Sequence, residues 1–183
     1  AVLVAQAVQR QLFAKAFKDK VLVSASLPEE IDKLLEQQAL QALSMCNKAG
    51  LVTAGAAKVE KLLGSSPVVA LVHASDGGAD GVRKMGQVLT RTQGEAGAQV
   101  SRVTLFVSSQ LDLALGRSNV IHAAVLAGPA GQTFLSRCQI LVRYRLADDG
   151  NAVAASAAML PDTPKHAADQ DAADEVRANA HNV

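Results

Sequence analysis

Four short apolar runs, separated by stretches of helical period, constrain the fold of this chain more than any other feature. The run VVALVHA at 68–74 is apolar at almost every position, which is typical of a strand covered on both faces. Similar runs at 51–54, 102–108 and 120–126 predict further strands. Because strands and helices alternate with short connections, we predict an α/β fold, a three-layer α/β/α sandwich around a central mixed sheet of about four strands.

Helical periodicity fills the rest of residues 1–146. A helix is predicted over 1–17, and a second begins at Ser26, which is followed three residues later by Glu29 in the pattern of a capping box. Gly50 is the predicted end of that second helix. The later helices are predicted at 56–64, 79–93, about 108–115 and 130–146.

Charge and composition divide the chain into three parts. Residues 1–26 hold four basic and one acidic residue and predict an N-terminal helix with a linker. Residues 27–146 hold twelve basic and nine acidic residues and carry the whole α/β/α pattern. Residues 147–183 hold two basic and seven acidic residues without an apolar period, which predicts an acidic, alanine-rich, disordered tail. The formal net charge of +1 therefore conceals a basic body that can attract polyanions.

Residues suited to catalysis or metal binding are few. His73 and His122 each lie inside an apolar strand, where a structural histidine is the usual interpretation. Cys46 and Cys138 lie far apart in helical patterns, which favours buried, reduced thiols. The sequence contains neither a nucleophile elbow nor a metal-ligand spacing. We therefore expect no catalytic residue, no metal and no cofactor, and a protein that is not an enzyme.

Composition narrows the partners further. The chain has four Phe, one Tyr and no Trp, which argues against the aromatic platforms on which single-stranded bases stack. No apolar run reaches the ~18 residues of a membrane-spanning helix, and the first residues lack the order of a signal peptide. We expect a cytoplasmic protein without a membrane partner.

The loop SDGGADG at 75–81 follows the central predicted strand. Its spacing matches neither a phosphate-binding loop nor a calcium loop. Asp76 or Asp80 is expected to cap the helix that follows, and the glycines to form the turn. The carboxyl ends of the strands are still the default binding crevice of an open α/β sheet.

Gly55 lies where a predicted strand ends and a helix begins. The first amides of a helix have no partner inside it and carry the positive end of its dipole. Lys58 and Lys61 project from one face of this helix. Amides and ammonium groups together predict an anion site of the kind that holds a phosphodiester. Alternatively, Gly55 only turns the chain and the two lysines form a solvated face.

Several segments resemble the L-seven-Ae-like superfamily of kink-turn-binding ribosomal proteins. LGRSNVIHAAVL, HASDGGADGVRKM and the acidic tail look like its bacterial branch, in which this domain follows a YlxR domain. Residues 1–17 look like the closing helix of such a domain. The resemblance implies a nucleic-acid-binding protein linked to transcription termination. It covers roughly 27–146 and rests on Lys48-Ala49-Gly50, the strand 51–54, Gly55 to Lys61, VVALVHASD and LALGRSNVIHAAV at 113–125.

The chain departs from the G-x-N-E-x-x-K turn of this superfamily at two positions. Gly55 and Lys61 match, whereas Ala57 and Lys58 replace the Asn and Glu that bond to sheared G·A pairs in kink-turn binders. A bidentate base contact contributes about 1–3 kcal/mol of discrimination. We therefore expect base recognition to be weakened while the attraction for phosphates persists.

A second contact region is expected in the polar loop before the last strand, which suits an RNA backbone and its 2′-hydroxyls. On the helix after the central strand, two basic residues are weaker candidates, because the outer face of a helix is usually charged. The predicted RNA-binding residues are thus Gly55, Ala57, Lys58, Lys61, Arg117, Ser118 and Asn119, with Arg83 and Lys84 as the weaker pair.

Two functions follow from these patterns. The first is a non-enzymatic RNA-binding protein that acts in transcription termination or antitermination, or in translation-related RNA metabolism. Its expected partners are structured RNA, ribosomal or nascent, and transcription or translation factors. The alternative is a protein-interaction module of the same fold that has lost RNA recognition, which Ala57, Lys58 and the acidic tail favour.

Overall fold

The computed structural model describes residues 1–146, and the predicted tail at 147–183 lies outside the described residues. The described part of the chain forms seven helices and four strands. The helices are α1 (Val2–Gln9), α2 (Leu12–Phe17), α3 (Leu27–Lys48), α4 (Ala56–Leu63), α5 (Ala79–Ala98), α6 (Ser108–Leu115) and α7 (Pro129–Leu146), and the strands are β1 (Val52–Ala54), β2 (Val68–His73), β3 (Ser101–Val103) and β4 (His122–Leu126).

The strands form one open, mixed sheet in the order β1-β4-β2-β3. β4 pairs antiparallel with both β1 and β2, and β2 pairs parallel with β3. The C-terminal ends of β1, β2 and β3 and the N-terminal end of β4 therefore meet at one edge of the sheet. We call this edge the loop edge; its connections are residue 55 and residues 74–78, 104–107 and 116–121.

Helices cover both faces of the sheet, and this arrangement confirms the predicted α/β/α sandwich. Successive residues of β2 alternate between the two layers: Ala70 and Val72 face α3, α6 and α7, while Leu71 faces α4 and α5. The alternation follows from the period of a strand, whose side chains point to opposite faces. Phe106 and Phe134, both fully buried, fill the core on the side of α3, α6 and α7.

Three predicted element boundaries are wrong. Residues 1–17 form two helices rather than one, because Gln11 adopts a left-handed conformation with φ 52°. β3 ends at Val103 rather than at 108, since Phe106 leaves the sheet to fill the core. α5 continues past 93 to Ala98, with a break at Gly94, whose φ of 53° and ψ of −130° are not helical.

The start of α3 differs in detail from the predicted capping box. Ser26 is the N-cap residue, but its hydroxyl donates to the Glu30 carboxylate at 2.5 Å and not to a helix amide. Glu29 is not its partner. At the same end of the layer, Arg145 of α7 donates to both carboxylate oxygens of Asp32, each at 2.8 Å, and these bonds lower the pKa of Asp32. Arg145 thus ties α7 to α3.

The N-terminal segment contacts the sandwich. The backbone nitrogen of Ala1 donates to the Tyr144 carbonyl at 2.7 Å, and the Tyr144 hydroxyl donates to the Pro28 carbonyl at 2.8 Å. α1 also packs against α3. The division of the chain at residue 26, and the likeness of residues 1–17 to the closing helix of a YlxR domain, stay predictions.

Candidate nucleic-acid interface

The loop edge brings together the two segments that the sequence predicts to contact RNA. The N–H of Gly55 donates to the carbonyl of His122 at 2.8 Å, and Ala54 lies opposite Ala123 in the β1–β4 register. His122 is the first residue of β4 and follows the connection 116–121. The turn into α4 and the loop at 117–119 therefore lie on adjoining connections of one edge.

Gly55 has a backbone conformation that only glycine adopts readily. Its φ is 101° and its ψ is 134°, and no atom lies within 4 Å of the place where a Cβ would stand. The conformation, rather than a lack of space, therefore requires glycine here. The N–H of Gly55 is already bonded to β4, so this amide does not bind an anion, contrary to the expectation from the sequence.

The turn into α4 presents the next three backbone amides to an external anion. Within residues 1–146, the N–H groups of Ala56, Ala57 and Lys58 have no acceptor, and no side chain caps α4. They form the exposed first turn of a helix that begins at the loop edge. Unbonded amides at this position carry the positive end of the helix dipole and attract anions.

Three cations, two on α4 and one in the loop at 117–119, have no charged partner in the described part of the chain. Lys58, Lys61 and Arg117 are exposed, and none of them forms an ion pair with any residue between 1 and 146. Glu60, which lies between the two lysines in sequence, is bound instead to Lys84 of α5 at 2.8 Å. The two lysines and the arginine are thus available to an external anion.

The weaker candidates of the sequence analysis are both engaged. Lys84 binds Glu60, and Arg83 binds Asp80 at 2.9 Å within the first turn of α5. Exposed ion pairs of this kind contribute at most about 1 kcal/mol. A phosphate can therefore bind Arg83 or Lys84 only after it displaces an ion pair, whereas Lys58 and Lys61 have no ion pair to displace.

A carboxylate at the end of α6 fixes the second loop. Asp112 accepts the N–H of Asn119 at 3.0 Å and the N–H of Val120 at 2.8 Å. Gly116 and Asn119 are left-handed, with φ of 61° and 58°, which asparagine tolerates better than most residues. Arg117 and Ser118, at the tip of this turn, are exposed.

Sequence reasoning missed Asp112. Its signal is an aspartate in the last turn of a helix followed by the turn-forming series Gly-Arg-Ser-Asn. Such a carboxylate often bonds to the amides of the turn that follows.

Asp112→Ala is expected to lower the free energy of unfolding by about 1–3 kcal/mol, because two backbone amides lose a charged acceptor. Asp80→Ala is the matched control, since it removes only an exposed ion pair at the same edge. Urea denaturation of the two variants measures the difference. Equal midpoints for the two would show that Asp112 does not fix the loop.

The sequence predicted that Asp76 or Asp80 would cap α5, and this prediction is wrong. Gly78 is the N-cap residue of α5, and no side chain caps this helix. Asp76 instead accepts the hydroxyl of Ser108 at 2.7 Å and its N–H at 2.8 Å, which ties the loop to the start of α6. The bonds from the Ser108 hydroxyl and amide lower the pKa of Asp76.

Two buried histidines lie directly under the loop edge. His73 and His122 are opposite each other in the β2–β4 register, and their Nδ1 atoms are 2.9 Å apart. The His122 ring also packs against Gly81, where a Cβ would come within 2.6 Å of Nε2. Burial, with electrostatic repulsion from His122 and Arg102, lowers the pKa of His73 to about 4. Burial also lowers the pKa of His122.

The thiols are buried, as the sequence predicts. Cys46 and Cys138 are free, and burial raises the pKa of each. Among residues 1–146, no three or more His, Cys, Asp or Glu side chains are placed to hold a metal ion. In the same part of the chain, no helix has both the length and the apolar character needed to cross a membrane.

Comparisons with known proteins find similar chains among the solved structures. No family model matches this chain, and no curated protein is similar to it. A solved structure of a protein of unknown function from Bacillus halodurans C has 18% sequence identity to it and a TM-score of 0.47. The match covers 56% of this chain and 97% of that one.

Proposed function

We propose that this chain is a non-enzymatic RNA-binding protein that holds structured RNA at the loop edge, mainly through its phosphates. One observation supports the proposal above all. Two segments far apart in sequence adjoin at this edge. Lys58 and Arg117 are exposed there, Lys61 is exposed one turn further along α4, and none of the three has an ion-pair partner in residues 1–146.

The groups at this edge suit the parts of an RNA backbone. The amides of Ala56, Ala57 and Lys58 and the ammonium of Lys61 bind phosphate oxygens. Arg117 can bind one phosphate in a bidentate manner, because its guanidinium is planar. Ser118 and Asn119 offer a hydroxyl and an amide to 2′-hydroxyls. Ala57 has no hydrogen-bonding side chain, so discrimination between base pairs is weak.

The biological setting that we propose follows from the resemblance in segments and not from the geometry. The chain belongs, in this proposal, to the bacterial branch of the L-seven-Ae-like superfamily that is fused to a YlxR domain. It acts in the cytoplasm, in transcription termination or antitermination or in translation-related RNA metabolism. Its RNA partner is a nascent transcript or ribosomal RNA.

The double variant Lys58→Ala/Lys61→Ala tests the proposal. We expect its affinity for a hairpin RNA to fall roughly 10- to 100-fold at low salt, because about two phosphate contacts are lost. The slope of log K against log salt should become less negative by about 1.4 to 1.8. Binding is measured by fluorescence anisotropy over a series of salt concentrations.

Lys33→Ala/Lys48→Ala is the matched control for that experiment. Both lysines are exposed on α3, in the layer on the opposite face of the sheet, and the change in charge is the same. The proposal fails if the two double variants lose the same affinity, or if the unmodified chain binds hairpin RNA without dependence on salt.

One observation favours the alternative, a protein-interaction module. Leu113 of α6 is 86% exposed and lies four residues before Arg117, at the same edge. Leu113→Ser should then abolish the capture of protein partners that survive nuclease treatment, while leaving RNA affinity unchanged. Leu34→Ser is the control, since Leu34 is 54% exposed on α3. Partners that disappear with nuclease argue for RNA instead.

A further inference from the structure

A groove of about 530 Å³ runs between α5 and the edge strand β3. It lies outside the turn at Gly55 and the loop at 117–119. Of the predicted RNA-binding residues, only Arg83 borders it. Its lining consists of Val82, Arg83, Gly86, Gln87, Thr90, Arg91 and Arg102.

Helical spacing and strand alternation build this groove. Arg83, Gln87 and Arg91 are four residues apart on α5, so they follow one another along one face of the helix. Arg102 is exposed between the buried residues Ser101 and Val103, and it therefore projects from β3 toward α5. A Cβ on Gly86 would lie 3.6 Å from the Arg102 Nη2, so the guanidinium rests directly against the helix at this glycine.

Residues 1–146 neutralise only part of the charge of the groove. Arg91 and Arg102 are exposed and form no ion pair with any residue between 1 and 146. Arg83 pairs only with Asp80, and the two side chains are 73% and 91% exposed. Three guanidiniums thus border one open space. Clusters of this kind recognise phosphates, because each planar guanidinium can donate two parallel hydrogen bonds.

We infer that this arginine groove holds successive phosphates of an RNA strand that leaves the loop edge. The inference rests on the proposed function and extends its binding surface. α5 starts at the loop edge, and Arg83 to Arg91 spans about 12 Å along the helix axis. The groove is bordered by exposed arginines and has no aromatic lining, so it suits a polymer backbone better than an enclosed small ligand. Gln87 and Thr90 add polar contacts for 2′-hydroxyls.

A hairpin RNA with a single-stranded extension of increasing length tests the inference. Arg91→Ala/Arg102→Ala should bind the bare hairpin as tightly as the unmodified chain does, but should gain less affinity as the extension grows. On the longest extension the salt slope should be less negative by about 1.4, which corresponds to two lost phosphate contacts. Arg91→Lys/Arg102→Lys should keep the salt slope of the unmodified chain, since the charge is retained, but only part of the gain in affinity, since lysine cannot donate two parallel hydrogen bonds.

Arg137→Ala/Arg143→Ala is the matched control, because both residues are exposed on α7, in the layer across the sheet. Thermal melts monitored by circular dichroism establish that each variant folds. The groove inference is overturned if Arg91→Ala/Arg102→Ala and this control bind RNA with equal affinity at every extension length. It is also overturned if Arg91→Ala/Arg102→Ala binds the bare hairpin more weakly than the unmodified chain does. If the unmodified chain binds no RNA, the proposed function is overturned, and the groove inference with it.

Discussion

Phe106→Ala is expected to lower the free energy of unfolding by about 3–5 kcal/mol. The Phe106 side chain is fully buried and is among the largest in the core shared by α3, α6 and α7. Truncation removes apolar area from the core and leaves a cavity that the surrounding helices and sheet can only partly fill. We expect urea denaturation to show a lower midpoint with a similar slope.

The backbone at Phe106 also belongs to the loop edge. The Phe106 carbonyl accepts the N–H of Ser75 at 2.8 Å, next to the bonds between Asp76 and Ser108.

Phe17→Ala is the control, because it removes the same phenyl ring at a site that is 68% exposed. It should change the free energy of unfolding by less than about 0.5 kcal/mol. Equal effects of the two substitutions would contradict the burial of Phe106.

The layers of the fold could be predicted from local patterns. The apolar run VVALVH predicts that β2 is buried on both faces, and the helices that flank it have apolar faces of helical period. These signals extend over a few residues, so a single sequence is enough to place them. The end of β3 could not be placed in this way. The mostly apolar run continues through residues 104–107, but the strand ends at Val103 because Phe106 leaves the sheet to fill the core.

The candidate site could be predicted only in its pieces. That Gly55 and Arg117 lie at one edge depends on the antiparallel pairing of β1 with β4, whose partners are about seventy residues apart. The same pairing uses the Gly55 amide, which removes it from the predicted anion site. The arginine groove was missed because Arg102 stands inside an apolar run. Its exposure follows from the edge position of β3, which no local pattern indicates.

The buried histidine pair makes the stability of the fold depend on pH between about 4 and 6.5. The pKa of His73 is about 4 in the folded chain, against an ordinary 6.5. Between these values the unfolded chain binds a proton that the folded chain does not, so stability is complete above about pH 6.5 and falls as the pH falls toward 4. The loss from His73 is about 3 kcal/mol. His122, whose pKa is also lowered, acts in the same direction.

Denaturation by urea at several pH values between 7 and 4 measures this loss. The lowered pKa values of Asp32 and Asp76 affect stability below about pH 5, so the loss between pH 7 and 5 belongs to the histidines alone. His73→Leu/His122→Leu should flatten the pH dependence at little cost near pH 7, because both partners of one hydrogen bond are replaced together. If that variant does not fold, NMR titration of the unmodified chain decides the question. The imidazole of His73 should titrate near pH 4 and that of His122 below its ordinary 6.5, and midpoints near 6.5 for both would refute the buried neutral pair.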